Sequence, residues 1–90
     1  LYRTKTNTLL MLWSTFIKHK YAQCIARSEN GSITGNFEHL PPLITDDGGH
    51  GMIFQAEKDL LLTFHSPNKT GSEHPCFVKV WDDGDRLKLI

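Results

Sequence analysis

The sequence predicts an all-β chain of short antiparallel strands arranged as two similar halves. Apolar runs of strand length alternate with clusters of Gly, Pro, Asn and Asp, the residues that separate strands by turns. The second half also repeats the first. Leu9-Leu10-Met11-Leu12-Trp13 advanced by 51 positions falls on Leu60-Leu61-Leu62-Thr63-Phe64, and the same shift carries Leu1-Tyr2 onto Met52-Ile53. A shift one residue longer places Cys24-Ile25 on Cys76-Phe77. A period near fifty residues with three or four short strands per unit is the pattern of β-propeller blades, and a chance likeness of two strand groups is the competing explanation. The expected architecture is two antiparallel four-stranded blade sheets, residues 1–45 with an incomplete first strand and residues 46–90. Propellers carry about 4–8 blades, so two alone leave apolar faces and sheet edges bare. The rest of a propeller, or self-association of several copies, is expected to cover them. The opening on Leu1, already strand-like, reads as a piece cut from something longer.

In order along the chain, Leu1 to Arg3 reads as the tail of a strand, and Thr4 to Thr8 as a polar connection in which Asn7 allows a tight turn. Leu9 to Phe16 is a continuous apolar run suited to a strand buried on both faces. Ile17 to Lys20 is expected as a loop, Tyr21 to Ser28 as the next strand, and Asn30-Gly31 as a turn. Pro41-Pro42 assigns Phe37 to Ile44 to a sheet edge, because proline cannot donate to a ladder. Asp46-Asp47-Gly48-Gly49-His50-Gly51 is a glycine-rich turn, with a strand expected immediately after it at Met52-Ile53-Phe54. Pro75 to Ile90 supplies another strand and a hairpin through Asp82-Asp83-Gly84-Asp85, with Arg86 to Ile90 outermost.

Composition narrows the function classes. Lys plus Arg and Asp plus Glu are 10 each, giving a formal net charge of zero, without the basic excess of a nucleic-acid binder. No apolar run approaches the ~18 residues of a membrane helix, and no signal-peptide pattern opens the chain. Cys24 and Cys76 match no zinc spacing and read as small buried apolar residues. Compartment is left open. Asn30-Gly31-Ser32 and Asn68-Lys69-Thr70 fit the glycosylation sequon and equally fit ordinary turns.

The candidate chemistry centres on His50, which three glycines bracket at a strand mouth; a tight turn with an incidental histidine uses the same residues. Asp46 and Asp47 lie beside it, and a surface loop explains them as well. His65, in Phe64-His65-Ser66-Pro67-Asn68, is a candidate for the same cavity or half-buried scaffold. Trp13 and Trp81 can stack on sugar rings, and a core aromatic is the plainer reading. Asp82, Asp83 and Asp85 bracket a turn glycine as solvated turn residues do. The five histidines have no zinc spacing. No Gly-x-Ser-x-Gly elbow is present, and Gly48-Gly49-His50-Gly51 lacks the Lys-Ser/Thr of a phosphate loop.

Leu1 to Thr6 with Leu9 to Ser14, Tyr21 to Ser28, Asp47 to Phe54, and Leu61 to Asn68 together resemble the C-terminal end of family 43 glycoside hydrolases. These are five-bladed propeller arabinanases, arabinofuranosidases and xylosidases. The resemblance implies that residues 1–45 and 46–90 are the penultimate and last blades. It implies inverting hydrolysis of arabinan, xylan or arabinoxylan by an Asp base and a Glu acid, with a second Asp tuning the acid. Nothing in this chain matches the motifs of those three carboxylates, so no catalytic residue is assigned. His50 matches the histidine near the propeller axis, implying association with a calcium-type ion held mostly by water. Asp47, His65 and Trp13 are the substrate-cleft candidates. Glu73-His74-Pro75 stands where relatives often carry Glu-Arg-Pro, a departure that removes a guanidinium contact.

The leading expectation is a glycosidase segment that contributes scaffold, part of a sugar cleft and the axial histidine, and is inactive alone. The alternatives are a non-catalytic two-blade module that oligomerises or binds glycan, and a plain β domain with unrelated interactions.

Overall fold

The computed structural model describes residues 1–67 and 71–90, so the sequon at Asn68-Lys69-Thr70 lies outside the described residues. The chain folds into eight strands: β1 (Tyr2–Arg3), β2 (Leu9–Ile17), β3 (Lys20–Ser28), β4 (Phe37–Ile44), β5 (Gly49–Ala56), β6 (Asp59–Ser66), β7 (His74–Asp82) and β8 (Leu87–Leu89). They form two four-stranded sheets, β1-β2-β3-β4 and β5-β6-β7-β8, with each strand antiparallel to the next in sequence. The all-β, blade-like architecture expected from the sequence is present. β4, with Pro41 and Pro42, is an edge strand, where a missing N–H costs no ladder bond.

The repeat holds at the level of individual ladder pairs. Trp13 opposite Cys24 and Leu12 opposite Ile25 correspond to Phe64 opposite Cys76 and Thr63 opposite Phe77. The first strand needs a correction of one residue. Tyr2 faces Leu10, whereas Leu61 faces Phe54, so Tyr2 corresponds to Phe54 rather than Ile53. The shorter β5–β6 turn accounts for the slip: five residues separate Arg3 from Leu9, against four between Gln55 and Leu60.

Side chains alternate across each sheet, and the two sheets pack through one face each. The first contributes Leu10, Leu12, Ile25 and Tyr2; the second contributes Ile53, Leu60, Leu62, Phe64 and Val80. Leu10 and Leu62 are wholly buried there. Polar contacts clasp the same interface at one end. Tyr2 Oη donates to Asp82 Oδ2 at 2.9 Å, the Lys5 N–H donates to the same oxygen at 2.8 Å, and the Thr4 and Thr6 hydroxyls both donate to the Gly84 carbonyl. Arg27, paired with both Glu38 and Asp85, bridges the sheets nearby.

Two local expectations change. The segment read as a loop at Ile17 to Lys20 is a tight hairpin: Ile17 and Lys20 are paired, and Lys18 and His19 carry φ of 51° and 70°. Positive φ at both central residues matches the right-handed strand twist. β5 begins at Gly49 rather than after Gly51, with an irregular register between Gly49 and Met52. His50 therefore lies within the strand, on a bulge.

Candidate functional site

The bulge sets the position of His50. Positive φ falls on Asp47 (58°) and on His50 itself (55°), not on the glycines beside them. Those glycines are needed for space. A Cβ on Gly48 would stand 2.7 Å from Ile44 Cγ2 and 2.8 Å from Phe64 Cδ2. One on Gly51 would run into Gln23 Oε1 and lie 2.9 Å from the Thr63 carbonyl oxygen. Both gaps are well inside van der Waals contact.

Two polar side chains of the first sheet hold the bulge. The His50 N–H donates to Ser14 Oγ at 2.8 Å, and the Gly51 N–H donates to Gln23 Oε1 at 2.7 Å. Gln23 is 1% exposed and its Nε2 donates to the Trp13 carbonyl at 3.1 Å, so its amide is satisfied at both ends. Asp47 Oδ1 accepts the Tyr21 N–H at 3.0 Å, tying the turn before β5 to the start of β3. The bulge's irregular ladder is thus compensated by the neighbouring sheet.

His50 and His65 meet. His65 Nε2 lies 2.8 Å from His50 Nδ1, with ring planes only 12° apart. His65 Nδ1 is buried without a hydrogen-bond partner among the described residues. A neutral imidazole has one N–H and one bare nitrogen. An orphaned buried N–H is costlier than an orphaned lone pair, so the His65 proton belongs on Nε2, donated to His50. His50 then carries its own proton on Nε2 and presents an outward N–H. Tyr21 lies 5.5 Å from His50 between ring centroids and 4.1 Å from Phe16, extending a row of four rings across both sheets.

A cavity of about 460 Å³ opens beside the pair, lined by His50, Thr63, Phe64, His65, Glu73, His74 and Pro75. Hydrogen bonds from the backbone N–H groups of Glu73 itself and of Gly71 hold the Glu73 carboxyl below its ordinary range, and the nearby His65 adds to this.

Of the sequence candidates, the fold brings His50 and His65 together, with Asp47 anchored just before β5. Trp13 is elsewhere. It points to the opposite face of its sheet from Ser14, edge-on to His39 at 5.5 Å, with Nε1 buried and without a hydrogen-bond partner among the described residues. Phe16, Tyr21, Ser14 and Gln23 were not singled out from the sequence, and Glu73 entered there only through Glu73-His74-Pro75. The cross-strand pairing of Phe16 with Tyr21 follows only from the two-residue hairpin.

Calcium takes about 6–8 oxygen ligands. Among the described residues no group of three or more His, Cys, Asp and Glu side chains converges on a metal position. The outward N–H of His50 donates and offers no lone pair to a cation. The described residues do not by themselves fit a calcium ion.

No family model and no curated protein matches the chain. Among solved structures it is similar to an endo-arabinase from Bacteroides thetaiotaomicron VPI-5482, with 39% sequence identity and a TM-score of 0.84 over 94% of this chain. The matched region is 31% of that protein, so this chain spans about a third of its length and shares the fold of that third.

Proposed function

We propose that the chain is the closing two-blade segment of a family 43 glycoside hydrolase that cleaves arabinose- or xylose-containing glycans with inversion. One observation carries this reading: 94% of the chain superposes on an endo-arabinase at 39% identity. The segment supplies scaffold and one wall of the sugar cleft. In that wall the His50 Nε2–H is a fixed donor for a sugar hydroxyl or an ordered water, and His65 sets its tautomer. Inverting hydrolysis needs two carboxyl groups about 6.5–9.5 Å apart. Glu73 is the one carboxylate among the described residues lining the cavity, so the acid and base belong to other blades. A cation beside His50 would draw its oxygen ligands from there as well.

The single carboxylate equally favours a second reading, a non-catalytic module that binds glycan without cutting it. Titrating the chain with arabino- and xylo-oligosaccharides, while following imidazole NMR signals and reducing-sugar release, tests both. Shifts at His50 and His65 without sugar release are expected. Absence of any shift with either pentose series overturns the cleft assignment. Release of sugar that is lost in His50→Ala overturns the assignment of the acids to other blades.

A further inference from the structure

The inner face of the first sheet ends in an uncovered aromatic ring. Side chains alternate along β2, so Leu10, Leu12, Ser14 and Phe16 share the face on which the second sheet packs. Leu10 is wholly buried there and Ser14 is bonded to the His50 N–H, whereas Phe16 is 61% exposed. Further sheets in a larger assembly would pack on the two outward faces. Phe16, on the inner face, stays open to whatever enters beside His50.

The ring is continuous with the histidine site. Phe16 pairs with Tyr21 across the β2–β3 hairpin at 4.1 Å between centroids, and Tyr21 stands 5.5 Å from His50. Asp47 holds the Tyr21 backbone in place. A cross-strand aromatic pair steadies a hairpin, which accounts for Phe16 meeting Tyr21. It does not account for a large apolar ring left in water next to an imidazole donor. The turn beyond it is polar, with Lys18, His19 and Lys20 all exposed. A protein partner calls for a contiguous apolar patch. A single ring flanked by polar groups suits a ligand with an apolar face and a polar rim. A sugar has that form, with C–H groups across the ring face and hydroxyls around its edge.

We propose that Phe16 is a stacking platform for a second pentose unit of the glycan whose first unit meets the His50 Nε2–H. This rests on the reading of the His50 cavity as a sugar cleft and extends that cleft by one unit. The two centroid steps from His50 through Tyr21 to Phe16 lie within the span of a short oligosaccharide. The C–H face of the sugar packs on the open side of Phe16 by dispersion, while Tyr21 backs the ring from the other side. The stacking role that the sequence offered to Trp13 falls to Phe16. The consequence is a preference for chains over single sugars.

Ligand length is therefore the readout. The chain is titrated by NMR with arabinose and arabinotriose, and with xylose and xylotriose. In at least one series, both sugars are expected to shift the His50 imidazole and only the trisaccharide to shift the Phe16 ring. Phe16→Ala is expected to weaken trisaccharide binding roughly fivefold, as the loss of one aromatic contact does, and to leave monosaccharide binding unchanged. Phe16→Trp is expected to keep trisaccharide binding. Should Phe16→Ala fail to fold, Phe16→Leu retains an apolar partner for Tyr21 without a ring face. Trisaccharide binding unchanged by the loss of the ring, with His50 still shifted, overturns the platform and leaves the cleft standing. An equal loss for both sugar lengths also overturns it, because Phe16 then only supports the His50 site. No shift at His50 with any of the four sugars overturns the platform together with the cleft.

Discussion

His50 is held by three contacts of different kinds. Its N–H is bonded to Ser14, its ring to His65, and its backbone sits at φ 55° just before Gly51, where a Cβ has no room. The sequence showed the bracket and the histidine. It did not show that the strain falls on His50 itself, or that Ser14 and Gln23, more than twenty-five residues upstream, hold the bulge. Such long-range partners leave no local signal, because their spacing is set by sheet packing. Two expectations follow at this scale. Nitrogen-15 NMR of the imidazoles should find both His50 and His65 protonated at Nε2 and bare at Nδ1; a proton on His50 Nδ1 would contradict the assigned roles. Gly51→Ala should lower stability by about 1–3 kcal/mol in urea denaturation, as overpacking does, because Gln23 Oε1 and the Thr63 carbonyl already fill that space. An unchanged midpoint would show that the bulge yields without cost.

At the scale of elements, strands and their order were legible because apolar runs and turn residues alternate clearly. The repeat was legible because blade partners are matched at nearly constant spacing. The hairpin at Lys18-His19 was not, since neither residue belongs to the Asn-Gly class that announces such a turn. The clasp between the β1–β2 connection and the β7–β8 turn was also hidden, and it makes stability pH-dependent. Burial, then the hydrogen bond to Asp82 and that carboxylate's charge, pushes the Tyr2 phenol up to about 12, from an ordinary value of about 10. The folded state therefore favours the protonated phenol. This contribution is complete below about pH 10 and is lost as pH rises towards about 12. Thermal melts of Tyr2→Phe should show a shallower decline than wild type across that window. Parallel declines would mean that the phenol does not link the sheets.

For the whole molecule, two sheets with one shared interface leave an outward face on each side, and among the described residues the cavity at His50 and His65 contains one carboxylate. Both features fit the proposed reading of the chain as one segment of a larger sheet assembly. The likeness to glycoside hydrolases was legible only through the combination of the Gly-Gly-His-Gly turn, the following strand and His-Ser-Pro. Composition and charge pointed to no particular partner or substrate. The most direct measurement is a chimera in which this chain replaces the matching 31% of the Bacteroides endo-arabinase, assayed for arabinan hydrolysis. A folded chimera is expected to retain hydrolysis and to lose at least about tenfold in kcat/KM with His50→Ala, close to 1.4 kcal/mol of transition-state stabilisation. A folded chimera without activity, or one indifferent to His50→Ala, would contradict the reading of this chain as a working wall of a glycosidase cleft.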